Sequence, residues 1–386
     1  MVSTEYPPMM GGVGRYTANL TAALKKRGIE VLVVCNERGI GDFAGISPTN
    51  KSNSDVLLDI VKKINPDLVH VQYEHGLYGL KLDAINPKKT HTTIDSFYEK
   101  SPVPVITTFH SAYTFRQWMK LVIPLDLTGR DTKLRIYCRM ALKYWKHLLN
   151  YRSFHLLNSK KIGTQKYGIV FSDYLLERIP HTHKIYHGAE ALVPPTLSKS
   201  EARHYFSISE EYKIALALGF LTKTKGWDLL NDIDVPKGWK IVVNSAKNHY
   251  NIEKTKFQFK NADIIDLKRG HLSDLELSFL FHSADILLLP YTVSSASGVM
   301  FDGLAHGLPF IASDIEFFRE FSALGLGISV KRKPDKFSAA ITKINKDYNT
   351  YRKNVASFKQ NLLWSKIAEE HEVIYQSALQ KRIVSC

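Results

Sequence analysis

Short, near-continuous apolar runs alternate along this chain with longer stretches whose apolar positions recur at helical spacing. "IEVLVVCNE", "DLVHVQYE", "PVITTFH" and "YGIVFS" read as strands in the first half. "YKIALALGF", "WKIVVNSA", "DILLLPY" and "LPFIAS" read as strands in the second. Uninterrupted apolar character is what strands buried on both faces require, and helix-length segments between them predict βαβ units and parallel sheets. The periodicity breaks at residues 190–206, "EALVPPTLSKSEARHYF", where Pro194, Pro195 and polar residues intervene. The fold class predicted is α/β, with two Rossmann-like, doubly wound domains facing a cleft. Ligands of such domains bind beyond the carboxyl ends of the strands, which makes the cleft the expected site.

At 386 residues the chain has the length of two ordinary domains, and 44% hydrophobic residues are enough for two cores. No apolar run is long enough to span a bilayer. Residues 1–12 lack both a basic start and an apolar stretch, so no leader peptide is expected. Cys35, Cys138 and Cys386 stand far apart and form neither a metal spacing nor a disulfide framework, which fits a reducing cytosol. With 52 Lys and Arg against 37 Asp and Glu, the net charge is +15. A positive field of this size attracts nucleic acid, anionic lipid or a phosphorylated substrate, without choosing among them.

Three local patterns carry chemistry. "YPPMMGGVGRY", residues 6–16, leads into a helix that carries Tyr16, Leu20, Ala23 and Leu24 at helical spacing, with Lys25, Lys26 and Arg27 in its last turn and Gly28 beyond. A helix N-terminus approached by Gly11 and Gly12 is suited to an anion, and equally to a tight turn made for packing. "YTVSSASGVMFDGLAHGLPFIAS", residues 291–313, follows a strand and predicts a helix capped by Ser294, Ser295 or Ser297, beginning near Gly298 and ending at Gly307. "GFLTKTKGW", residues 219–227, follows another strand and offers Lys223 and Lys225 as point charges for a diphosphate; alone, it reads equally as a solvated basic loop.

Taken in order, these segments resemble the GT-B fold glycosyltransferases of the large retaining family 4 type. The likeness runs through "EYPPMMGGVGRYTANLTAALKKRGIEVLVV", "HVQYEHGLYG", "PVITTFHS", "KIYHGAE", "GFLTKTKGWDLL", "HSADILLLPY…SGVMFDGLAHGLPFIAS" and "LLWSKIAEEHEVIY". It implies an N-terminal acceptor-binding domain at 1–190, a nucleotide-sugar-binding domain at 191–355, and helices at 356–386 crossing back to the first. It implies a hexosyltransferase that moves sugar from a nucleotide diphosphate sugar to a glycan or lipid-linked acceptor, with retention, no metal and no cofactor. Gly12 would let the first loop approach a donor phosphate, and His110 would sit beside the transferred sugar. Lys225, with Gly219 and Lys223, would meet the diphosphate, and backbone N–H groups at Ser297, Gly298 and Val299 would bind it. Asp302 would take the place of the acid that holds the ribose. Glu74, His75 and Gly76 stand at a strand end as acceptor-side candidates.

Departures from the family pattern are as informative. Its E-x7-E becomes Ser294…Asp302, and the Arg that often follows the phosphate-loop glycine is Phe220. Only Met1 and Val2 precede the opening motif where the family has a full strand, so either that strand is clipped or a start codon lies upstream. Residues 132–152 carry six Lys or Arg and no acid. Helical spacing gathers Leu134, Cys138, Ala141, Leu142, Trp145 and Leu149 on one face and Arg135, Arg139, Lys143 and Lys146 on another. That pattern is either an ordinary packed helix or a membrane-surface helix. The expected location is the cytoplasm, with peripheral attachment to an anionic inner membrane face in the second case. A sugar phosphorylase, a nucleotide-sugar epimerase, a non-catalytic sugar-nucleotide binder and a basic nucleic-acid-binding protein are the alternatives. The last lacks any nucleic-acid motif and leaves the glycine loops without a purpose.

Overall fold

The computed structural model describes residues 1–83, 86, 89–122, 133–162, 167–192, 197–247 and 257–384. The chain divides into two compact units, Met1–Ile185 with Ala368–Cys386, and Tyr186–Ile367.

The first unit is built on parallel strands β1 (Val34–Cys35), β2 (Phe43–Ala44), β3 (Val69–Tyr73), β4 (Val105–Phe109), β5 (Gly168–Val170) and β6 (Thr182–Lys184). Val2 stitches the two groups together by bridging Val34 on one side and Val71 on the other. The Val2 N–H donates to the His70 carbonyl at 2.8 Å, and the Gln72 N–H donates to the Val2 carbonyl at 2.9 Å. Chain order across the sheet is therefore β2, β1, Val2, β3, β4, β5, β6. Val2 stands where a central strand would run, with Met1 and Ser3 bonded to Val34 on either side of it, and strand order reverses direction beside it. The run "IEVLVVCNE", expected as a full strand, pairs only at Val34 and Cys35. One step earlier, the Val33 N–H donates to the Asp42 carboxylate at 2.7 Å, a side chain replacing a ladder partner.

The second unit has strands β7 (Lys213–Phe220), β8 (Trp239–Ala246), β9 (Ile264–Asp266), β10 (Ile286–Leu289), β11 (Phe310–Ser313) and β12 (Gly327–Val330). Their spatial order is β12-β11-β10-β7-β8-β9, all parallel. Order reverses between β7 and β10, the crevice position in a doubly wound sheet. Apolar strand residues such as Leu216, Ile241 and Leu287 are fully buried, as two-sided strands must be. One face of this sheet packs on Trp227, Leu230, Phe337 and Ile341.

Five helices concern the sites: α1 (Gly12–Lys26), α2 (Phe115–Val122), α3 (Lys133–Ile162), α4 (Gly298–Ala305) and α5 (Trp364–Val384). Along α3, Asn150, Ser153, Phe154, Leu157 and Asn158 are buried, whereas Trp145 is 68% exposed. Leu149 and Leu156 are exposed beside it. Of the apolar face drawn from the spacing, the two residues described, Trp145 and Leu149, lie on the solvent side with Lys146 and Arg152. The side chains of Leu134, Arg135, Cys138, Arg139, Ala141, Leu142 and Lys143 lie outside the described residues.

Candidate functional site

In the second unit, β7 runs out at Phe220 and passes into a short turn at Lys223–Lys225, while β10 passes through Tyr291 into the capped start of α4. Chemistry therefore gathers at the reversal of strand order. Lys225 Nζ donates to the Tyr291 hydroxyl at 2.7 Å and stands 4.0 Å from the centre of that ring. The Tyr291 hydroxyl lies 3.4 Å from Ser297 Oγ, which accepts from the Met300 N–H at 3.2 Å as the helix cap. A lysine ammonium, a tyrosine hydroxyl and the N-terminus of α4 thus form one continuous group. Gly219 makes room for it: at φ +141, its missing Cβ would stand 3.3 Å from the Lys225 stem.

Other predicted donor residues fall around this group. Gly298 and Val299 supply the first N–H groups of α4. The missing Cβ of Gly298 would face His187 Nε2 at 3.5 Å. His187 stacks flat on Phe301 at 5.4 Å, and its Nδ1–H donates to the Gly188 carbonyl at 2.9 Å. Asp302 is buried inside α4, where its carbonyl accepts from the His306 ring. Lys223 sits two residues before Lys225, and its carbonyl accepts from the Gly226 N–H. Tyr291 was not singled out from the sequence; its only signal is its place, immediately after the apolar run of β10 and a proline.

The first unit brings together a second set. Glu74 at the end of β3 accepts from the Gly76 N–H at 2.8 Å and from the Ser111 hydroxyl at 3.3 Å. It also lies 3.0 Å from His75 Nδ1. His75 packs edge-on against Phe154 of α3 at 4.9 Å. His110 follows β4, its ring held between Tyr16 of α1 and Phe171, with Nε2 2.9 Å from Gln72 Oε1. Glu74, His75, Gly76 and His110 therefore share one end of the sheet.

The glycine loop has a resident carboxyl group of its own. Gly11 is the N-cap of α1 and contributes no side-chain cap. Instead the Glu5 carboxylate accepts from the Gly14 N–H at 3.4 Å, inside the first turn. Burial pushes the Glu5 carboxyl up to about 7, offset in part by the bond from Gly14, with the nearby Glu74 pushing the same way. Gly12 is open: nothing lies within 4 Å of its missing Cβ. Among the described residues, no group of three His, Cys, Asp or Glu is placed to hold a metal ion.

Residues 10–156 match the model of Glycosyltransferase Family 4. No curated protein sequence matches the chain. Among solved structures, sucrose-phosphate synthase from Thermosynechococcus elongatus is similar at TM-score 0.64 and 14% identity, covering 96% of this chain and 94% of that one. A glycosyltransferase from Rickettsia africae is similar at TM-score 0.62 and 16% identity, covering 98% of each chain. Anabaena Alr3699/HepE in complex with UDP is similar at TM-score 0.62 and 11% identity, covering 97% and 99%. At such identities the likeness is one of fold, and it extends over nearly the whole chain.

Proposed function

We propose that the chain is a glycosyltransferase of the GT-B type whose donor is a nucleotide diphosphate sugar, a reading supported by the Glycosyltransferase Family 4 match at residues 10–156 and by the fold it shares with solved glycosyltransferases. Its acceptor in this reading is a glycan or lipid-linked sugar. The observation that carries the donor half is the Lys225–Tyr291–Ser297 group at the strand-order reversal. Fixed positive charge and preorganised dipoles there suit the charge that builds on a diphosphate leaving group. The Anabaena protein of similar fold has been seen with UDP, with UDP and glucose, and with UDP-glucose. Transfer with retention and without a metal ion is part of the proposal: Lys225 and the α4 N-terminus provide the charge stabilisation a cation would otherwise supply. Glu74, His75 and Gly76 form the acceptor side, and His110 stands beside the reacting sugar.

A thermal-shift screen against UDP, GDP, ADP and their sugars tests this reading. One nucleoside diphosphate should stabilise the protein, and the matching sugar nucleotide should release that diphosphate when an acceptor is added. Stabilisation by none of them overturns the proposal. Accumulation of an epimer or a sugar phosphate in place of free diphosphate assigns an epimerase or phosphorylase instead.

A second part of the proposal concerns location. No described helix is long and apolar enough to cross a membrane. The solvent side of α3 nevertheless presents Trp145, Leu149 and Leu156 together with Lys146 and Arg152. Apolar and basic side chains on one exposed face suit an anionic lipid surface, which in turn suits a lipid-linked acceptor. Sedimentation with anionic vesicles but not neutral ones is the expected result, and Trp145→Ser should weaken it. Equal binding to both vesicle types, or to neither, rejects this part.

A further inference from the structure

A buried chain of hydrogen bonds runs from His110 back to the C-terminal helix. His110 Nε2 lies 2.9 Å from Gln72 Oε1. Gln72 Nε2 lies 3.3 Å from His70 Nε2 and 3.2 Å from Met1 Sδ. His70 Nε2 is also 2.7 Å from Thr108 Oγ1, and its Nδ1 is 2.7 Å from the hydroxyl of Tyr375 on α5. Gln72 is fully buried, and His70 nearly so.

Donor and acceptor chemistry orients every member. A thioether accepts and cannot donate, so the amide NH2 of Gln72 faces Met1 Sδ and His70, leaving its oxygen for His110. That oxygen can only accept, so the proton of the His110 ring sits on Nε2. His70 Nε2, facing an NH2 group and a hydroxyl, holds a lone pair, so its Nδ1–H donates to Tyr375. Burial, then the neighbouring His371, keeps His70 well below its ordinary range and hence neutral. Three elements, β3, β4 and α5, thereby fix the tautomer of one imidazole.

We propose that Gln72 is a positioning residue for glycosyl transfer, holding the His110 ring as its Nε2–H tautomer with the Nδ1 lone pair on the other edge. The inference rests on the placing of His110 beside the reacting sugar. It adds which ring nitrogen is basic and what keeps it so. The Tyr16 phenol and Phe171 also pack on the ring, and His70 on β3 interacts with it electrostatically.

Histidine-selective 15N NMR of the whole protein tests the assignment without any substrate, with the His110 signals identified by their loss in His110→Asn. The expected spectrum shows a protonated Nε2 and an unprotonated Nδ1. Gln72→Leu should release that tautomer and lower kcat on the order of 100-fold, with KM for the donor changed far less. Gln72→Glu, nearly isosteric, should keep the Nε2–H, because a carboxylate accepts there too. It should also move the imidazole limb of the pH–rate profile upward, because a negative charge favours imidazolium. It serves in the same way if the leucine variant fails to fold. A proton on Nδ1 in the unaltered protein, or a pH–rate profile unchanged in Gln72→Glu, overturns the proposal. A tautomer that responds to Gln72→Leu while kcat does not would instead remove the His110 ring from the transfer step, leaving the hydrogen-bond assignment standing.

Discussion

The Glu5 carboxylate occupies the space in which a side chain on Gly11 would stand. A Cβ built on Gly11 would fall 2.1 Å from Glu5 Oε2 and 2.6 Å from Oε1. The first purpose of this glycine is therefore internal. It admits the protein's own carboxylate to the N-terminus of α1, in a place where sequence reasoning had put a ligand phosphate or a packing turn. Gly12, one residue on, faces open space and retains the capacity to admit an outside group.

That contrast predicts unequal effects of two alanine substitutions. Gly11→Ala displaces a buried carboxylate from its bond with Gly14, and overpacking with loss of a helix cap costs roughly 1–3 kcal/mol. Gly12→Ala meets no atom and should leave stability within about 0.5 kcal/mol, the range of surface changes. Urea unfolding of both variants measures the difference; equal midpoints would show that Glu5 does not hold this place in solution.

The same carboxylate makes stability depend on pH. Its folded pKa of about 7 lies above the ordinary 4.5 because burial disfavours the charge. The folded state therefore holds a proton that the unfolded state has released between those values. Stability linked to Glu5 is complete below about pH 4.5 and is lost as pH rises through 7, by roughly 3 kcal/mol at most. Glu5→Gln should cancel that loss, gaining stability at pH 8 while changing little at pH 5. His70 acts in the opposite sense: its lowered pKa costs stability as pH falls below about 6.5, when only the unfolded chain takes up the proton. Denaturation midpoints of Glu5→Gln across pH 5–8 isolate the first effect, and a pH-independent difference from the unaltered protein would refute it.

Much of this was legible in the sequence, and the limits are physical. Mostly apolar runs located β3, β4, β5, β7, β8, β10 and β11, because a strand covered on both faces admits a polar residue only where it finds a partner, as His70 and Gln72 do on β3. The polar β6, "THK", and the short β2 carry no such mark and are held by neighbours. Serine at the start of α4 and Gly307 at its end were readable because capping is local. Tyr291 was not, since contact between residues 66 apart leaves no spacing to read. The His70–Tyr375 bond joins positions 305 apart. On α3 the spacing alone left open a packed or an exposed apolar face, and burial of polar Asn150, Ser153 and Asn158 leaves Trp145 and Leu149 on the solvent side.

The Lys225–Tyr291 pair gives the most direct test of the donor site. Tyr291→Phe keeps the ring beneath the ammonium, 4.0 Å from its centre, and removes only the hydroxyl that holds Nζ at 2.7 Å. A hydrogen bond to a charged group is worth about 1.5–3 kcal/mol when both partners are fixed. Here the freed ammonium can still reach a bound phosphate, so the loss falls at or below the lower end, a roughly tenfold weaker Kd for the nucleoside diphosphate. Lys225→Ala removes the charge itself and should weaken binding on the order of 100-fold, with a smaller dependence of Kd on salt, since one fewer cation meets the phosphates. Isothermal titration at two ionic strengths reads both quantities. A Lys225→Ala protein that binds the diphosphate as tightly as the unaltered chain would remove Lys225, and with it the reversal point of this sheet, from the donor site.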